Sequence, residues 1–117
     1  MAANTLQAFT NDAFGTVRTI EQEGAVYFCG RDVATALGYV NTKDALARHC
    51  KGVVKHYPLD TPGGVQQVRF ITEGDLYRLI MSSKLPAAQQ FEAWVVDEVL
   101  PTIRRHGMYA VDDLLGN

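Results

Sequence analysis

Cysteine and histidine are scarce here, with two of the first and three of the second (His49, His56, His106), and no pair of them falls at a zinc-ligand spacing. A structural metal site and a disulfide framework are therefore not expected. Long apolar runs are missing too. Stretches such as Ala25 to Cys29 are a few residues long, against the ~20 needed to cross a bilayer. Residues 1–10 lack the basic start and apolar stretch of an export signal, which predicts a cytoplasmic protein with reduced Cys29 and Cys50. There is no glycine-rich phosphate loop, no nucleophile elbow and no repeat or low-complexity linker. These gaps argue against an enzyme and imply no cofactor. What remains is 117 residues, 47% hydrophobic and 21% charged, the profile of one globular domain with a core of its own.

A formal net charge of −2 would by itself argue against a nucleic-acid binder. Its distribution does not. The first 40 residues and residues 58–99 both carry an excess of acids, whereas Asn41 to Tyr57 holds Lys43, Arg48, Lys51 and Lys55 against Asp44 alone, with His49 and His56 added. One basic segment in an acidic domain can present a local phosphate-facing patch.

The period of the apolar residues predicts the elements. Leu6 to Phe9, Gly15 to Glu21 and Ala25 to Cys29 read as strands, the last two joined by a turn at Glu23-Gly24. Asp32 is placed to cap a short helix carrying Val33, Ala34 and Leu37, with Gly38 at its end. Asn41 caps a second helix to about Cys50, which turns Ala45, Leu46, His49 and Cys50 to one side and Lys43, Asp44, Ala47, Arg48 and Lys51 to the other. Val53 to Leu59 and Val65 to Ile71 make a second hairpin through Asp60-Thr61-Pro62-Gly63-Gly64. Thr72 caps a helix with Asp75 three residues on and Leu76, Leu79 and Ile80 inward, ending at Ser82-Ser83. Pro86 suits the first turn of a last helix with Phe91, Trp94, Val95 and Val99 on one stripe, and Pro101 should kink or restart it before Gly107. The expected fold is α+β: two antiparallel β-hairpins flanking a helix-turn-helix-like pair, closed by two C-terminal helices. Glu98 falls in the middle of the apolar stripe, so an arginine such as Arg78 or Arg104 is expected to pair with it.

The segment from Asp32 to His49 resembles a helix-turn-helix, with an alanine four residues before the turn Gly38 and a helix with a basic outer face after it. It departs from that pattern at Asp44, where an apolar residue is usual. Over the whole chain a wider resemblance is carried by Val17-Arg18, Tyr27-Phe28, Asp32-Val33-Ala34, Leu37-Gly38-Tyr39 and the Gly63-Gly64 turn. It continues through Phe70-Ile71-Thr72-Glu73, Leu76-Tyr77-Arg78-Leu79-Ile80, Ser83-Lys84-Leu85-Pro86-Ala87, Phe91-Glu92-Ala93-Trp94-Val95 and Glu98 to Arg104, as far as Tyr109. These motifs resemble the BRO family N-terminal domain of prophage antirepressors and baculovirus repeated-ORF proteins, over about residues 6–109. The resemblance implies a DNA-binding transcriptional regulator in residues 1–109, with residues 110–117 as a tail that could open a linker to a C-terminal domain. The alternative it leaves open is a protein-interaction module that binds and inactivates a phage repressor, and it leaves a homodimer open as well. On the first reading the DNA contacts fall on Lys43, Arg48, Lys51 and Lys55, with Asn41, Thr42, Gln66, Gln67 and Arg69 as polar candidates.

Overall fold

The computed structural model describes residues 5–106. The strands are β1 (Thr5–Asn11), β2 (Gly15–Gln22), β3 (Ala25–Cys29), β4 (Lys55–Thr61) and β5 (Gly64–Thr72). The helices are α1 (Gly30–Ala36), α2 (Thr42–His49), α3 (Glu73–Ser82), α4 (Ala88–Trp94) and α5 (Leu100–His106), the last two joined by a π-helical turn over Val95–Val99. All five strands form one antiparallel sheet in the order β1-β2-β3-β5-β4. The α+β class and the two hairpins flanking a helix pair are as expected. New is the seam between the hairpins, where Tyr27, Phe28 and Cys29 pair with Thr72, Ile71 and Phe70. This seam turns two local units into one sheet.

Local chemistry accounts for most of the turns. Glu23 (φ 52°) and Gly24 (φ 82°) both take positive φ, the conformation that a two-residue hairpin turn between right-twisted strands requires. At the end of α1, Gly38 (φ 82°) lets its own N–H reach Thr35 O and the Tyr39 N–H reach Ala34 O, the paired bonds of a Schellman cap. Asn41 Oδ1 accepts the Asp44 N–H and Thr72 Oγ1 accepts the Asp75 N–H, as the capping pattern predicts.

Three expectations are corrected. Asp32 does not cap α1, which begins two residues earlier with Cys29 as its N-cap. Asp32 instead lies in the first turn, where Arg18 takes its carboxylate through Nε at 2.8 Å and Nη2 at 2.9 Å. The bidentate pair recruits Asp32 away from its own backbone. The last helix begins at Ala88, not at Pro86, after a turn in which the Ala88 N–H reaches Leu85 O. Glu98 is exposed and not part of the core stripe. The π turn accommodates one residue more than an α turn would, so Val99 keeps the buried phase while Glu98 rotates out. Pro101 follows directly. Its missing N–H leaves no α-type donor for the carbonyl four residues back, and the chain widens there without breaking. Gly107, Tyr109 and the tail of residues 110–117 lie outside the described residues.

The main core joins Leu76, Leu79 and Ile80 of α3 to Phe91, Trp94 and Val95, as the helical stripes predict, and adds Val17, Phe28, Val33, Leu37, Leu46 and Ile71. Phe14 completes an aromatic cluster with Phe91 (ring centroids 5.2 Å apart, edge-on) and Trp94 (6.3 Å, stacked). A smaller cluster of Ile20, Cys29, Leu59 and Phe70 is flanked by Tyr27, Tyr57 and Val68. Among the described residues, no helix is long and apolar enough to cross a membrane.

Candidate nucleic-acid interface

Because β3 pairs with β5 only over residues 70–72 of the latter, the rest of the β4–β5 hairpin runs on past the sheet as a two-stranded ribbon. Its polar residues flank the start of α2. Between them lies an open groove of about 760 Å³ lined by Arg31, Val40, Asn41, Thr42, Lys43, Leu46, His56, Gln66, Gln67, Val68 and Arg69. Not one lining residue is a carboxylate in a chain of net charge −2. Among the described residues, no ion pair engages Arg31, Lys43 or Arg69.

The groove gathers six of the sequence candidates: Asn41, Thr42 and Lys43 from the start of α2, and Gln66, Gln67 and Arg69 from β5. Pleat alternation puts Gln67 and Arg69 on one side with His56, which stands directly across the ladder from Arg69, while Gln66 alternates to the other side. Asn41 arrives with its side-chain oxygen already committed to the Asp44 N–H at 3.0 Å. Its amide NH₂ is free to donate, while an adenine edge would have to share the oxygen with the cap bond. Gln67 keeps both groups.

The other three candidates lie elsewhere. Arg48 is exposed, sits 3.4 Å from Asp44, and lines a neighbouring groove of about 640 Å³ with Tyr39, His49, Lys84 and Leu85. Lys51 is exposed in the connection after α2, where its backbone N–H is held by Asp75 Oδ1 at 2.8 Å. Lys55 belongs to the opposite side of the sheet, with its amine 5.6 Å from the centre of the Tyr27 ring. The helical wheel sends Lys43, Arg48 and Lys51 outward, and all three are exposed, but they do not share one surface.

Sequence reasoning missed Arg31 and His56. Arg31 belongs by chain position to an acidic third of the sequence. It reaches the groove because β3 leads straight into α1 and also pairs with β5, and no local pattern reports that. His56 was visible as part of the basic segment, and strand parity relative to Arg69 was the signal for its side.

Asp75 fixes the far end of α2. It is fully buried, and its carboxylate accepts the N–H groups of Lys51 (2.8 Å) and Gly52 (2.9 Å) together with Arg78 Nη1 (2.7 Å). Burial alone would raise this carboxyl, yet the two backbone donors and the guanidinium hold it below its ordinary value. The connection after α2 is thereby pinned to α3. Cys29 and Cys50 are free thiols.

Fold and groove together define a small α+β domain with a cationic, carboxylate-free cleft between a helix start and a β-ribbon. The model of the BRO family, N-terminal domain, matches residues 16–101, and the chain belongs to that family. An uncharacterized protein of Haemophilus influenzae (strain ATCC 51907 / DSM 11121 / KW20 / Rd) is 49% identical over 92 residues, covering 77% of this chain and 45% of that protein. The putative Bro-N domain-containing proteins 201R and 289L of invertebrate iridescent virus 6 are 36% and 37% identical, each over 78% of this chain. The chain spans 27% of the first and 26% of the second, so it corresponds to a part of these longer relatives. No solved structure matches it.

Proposed function

We propose that this domain binds double-stranded DNA as the recognition module of a transcriptional regulator of the phage antirepressor type. The observation that carries the reading is the groove itself: Arg31, Lys43 and Arg69 converge there from three separate elements with no carboxylate among them, in a protein that is acidic overall. Such local excess attracts phosphate even when net charge does not. The start of α2 and the β4–β5 ribbon are the two kinds of element that a major groove admits, and Gln67 and Thr42 supply hydrogen-bonding groups between the cations.

The test is a titration of the full chain with mixed-sequence duplex at two or more salt concentrations. Three phosphate contacts predict a slope of log K against log salt of about −3, and alanine at Arg31, Lys43 or Arg69 should remove roughly 0.9 from it each. Absence of binding at low salt would overturn the reading in favour of a module that seizes a repressor protein, and the same domain would then be titrated against that partner.

A further inference from the structure

Val40 is the most exposed large apolar residue of the described chain, at 102% of its reference area. It is the residue before the helix cap Asn41, a position whose apolar side chain commonly folds back onto the fourth helical residue to form a hydrophobic staple. That residue is Ala45, which is already buried in the main core. Val40 therefore has nothing to pack on. It is nevertheless held firmly in place. Tyr39 on one side is fixed by its N–H to Ala34 O (3.0 Å) and its hydroxyl to Leu79 O (2.8 Å), and Asn41 on the other by its cap bond to Asp44. Both grooves described above are lined by Val40, so it stands on the ridge between them, with Arg31, Lys43 and Arg69 on one flank and Lys84 and the Arg48–Asp44 pair on the other.

A rigid apolar point among cations fits a surface that is anionic at its rims and apolar at one place within. The major groove of DNA is such a surface, because the thymine C5-methyl is its distinctive apolar base-edge group. We propose that Val40 is a specificity-determining residue that packs on a thymine methyl while the flanking cations hold the phosphates. The inference rests on the DNA reading above and adds to it the groove entered, the base chosen and the residue that chooses it.

The experiment starts from duplexes selected from a randomised library by the full chain. Each thymine of the selected site is then replaced singly by deoxyuridine, which deletes only the methyl group. The parent should lose roughly fourfold in affinity at one thymine, the worth of one methyl removed from water. Val40→Ala should bind the thymine and deoxyuridine duplexes alike, with an unchanged salt slope. Val40→Thr, which keeps one methyl at the same place, should retain part of the discrimination. Circular dichroism of both variants should overlay the parent, because the side chain touches no core. Discrimination that persists in Val40→Ala, or a selected site indifferent to every deoxyuridine, would overturn the role of Val40 and leave DNA binding standing. Binding without any selected sequence would do the same. No binding at low salt would overturn both.

Discussion

Arg18 and Asp32 form a two-pronged ion pair across the junction of β2 and α1, and the Arg18 backbone N–H also reaches the same carboxylate oxygen at 3.0 Å. One carboxylate thus receives three bonds from a single residue, and the helix that carries Arg31 is anchored to the sheet one residue further on. The guanidinium is held more tightly protonated than usual, first by its hydrogen bond to Asp32. Replacing Arg18 with Ala should lower stability by roughly 1 to 3 kcal/mol, since the Asp32 carboxylate loses a charged donor. Arg18→Lys should recover little of it, because an ammonium cannot make the fork. Urea denaturation measures the loss. DNA affinity of the folded variants should stay close to the parent's, because Arg18 does not line the cationic groove.

Asp75 predicts the acid limit. Its carboxyl titrates below its ordinary value of 3.8 in the folded state, so its contribution is complete above the unfolded value and disappears as pH falls through the lower folded one. Stability of the parent should decline through that acid window, and Asp75→Asn should flatten the decline. At neutral pH, Asp75→Ala should cost about 3 kcal/mol or more, because the N–H groups of Lys51 and Gly52 lose a charged acceptor. Denaturant midpoints at pH 7 and pH 3 separate the two effects.

Trp94→Ala should cost about 3 to 5 kcal/mol, since the residue is 8% exposed and its ring stacks on Phe14 and lies tilted against Phe91. A thermal melt that overlays the parent would remove this residue from the core.

Cys50 should be a slow thiol. Burial first, and the neighbouring Asp75 charge second, push it up to about 11, so only a small fraction is thiolate at pH 8. Its alkylation should be far slower than that of a free thiol and should rise about tenfold per pH unit up to that value. Site-resolved mass spectrometry gives both rates, and denatured protein serves as the fast control.

Residues whose roles are local were legible before any coordinates. Asn41 and Thr72 announce their caps through the residues three places on, and Phe91, Trp94 and Val95 announce a buried stripe by spacing alone. The groove was half legible. Lys43 stood out by charge and Arg69 only as a polar candidate in an acidic segment, while Arg31 joins them only through the β3–β5 seam, a pairing between hairpins that neither hairpin encodes. Glu98 shows a different limit. A wheel with a fixed 3.6-residue period placed it in the core, and the π turn before Pro101 changed the period at that point. Asp75 was visible as a capping neighbour of Thr72 but not as the acceptor for Lys51 and Gly52, since distant backbone donors leave no mark in sequence.

The seam between β3 and β5 also decides when the domain becomes competent. Arg31 follows one of its strands and Arg69 belongs to the other, and α2 with all of β4 lies between them in the chain. The cleft therefore does not exist in either hairpin alone or in an excised helix pair. It comes into being only when the long-range closure is complete, a step whose entropy must be met before its contacts form. During refolding, secondary structure should return before ligand capture does. A nascent chain that has emerged only through α2 would carry Arg31 and Lys43 but not Arg69, and no groove.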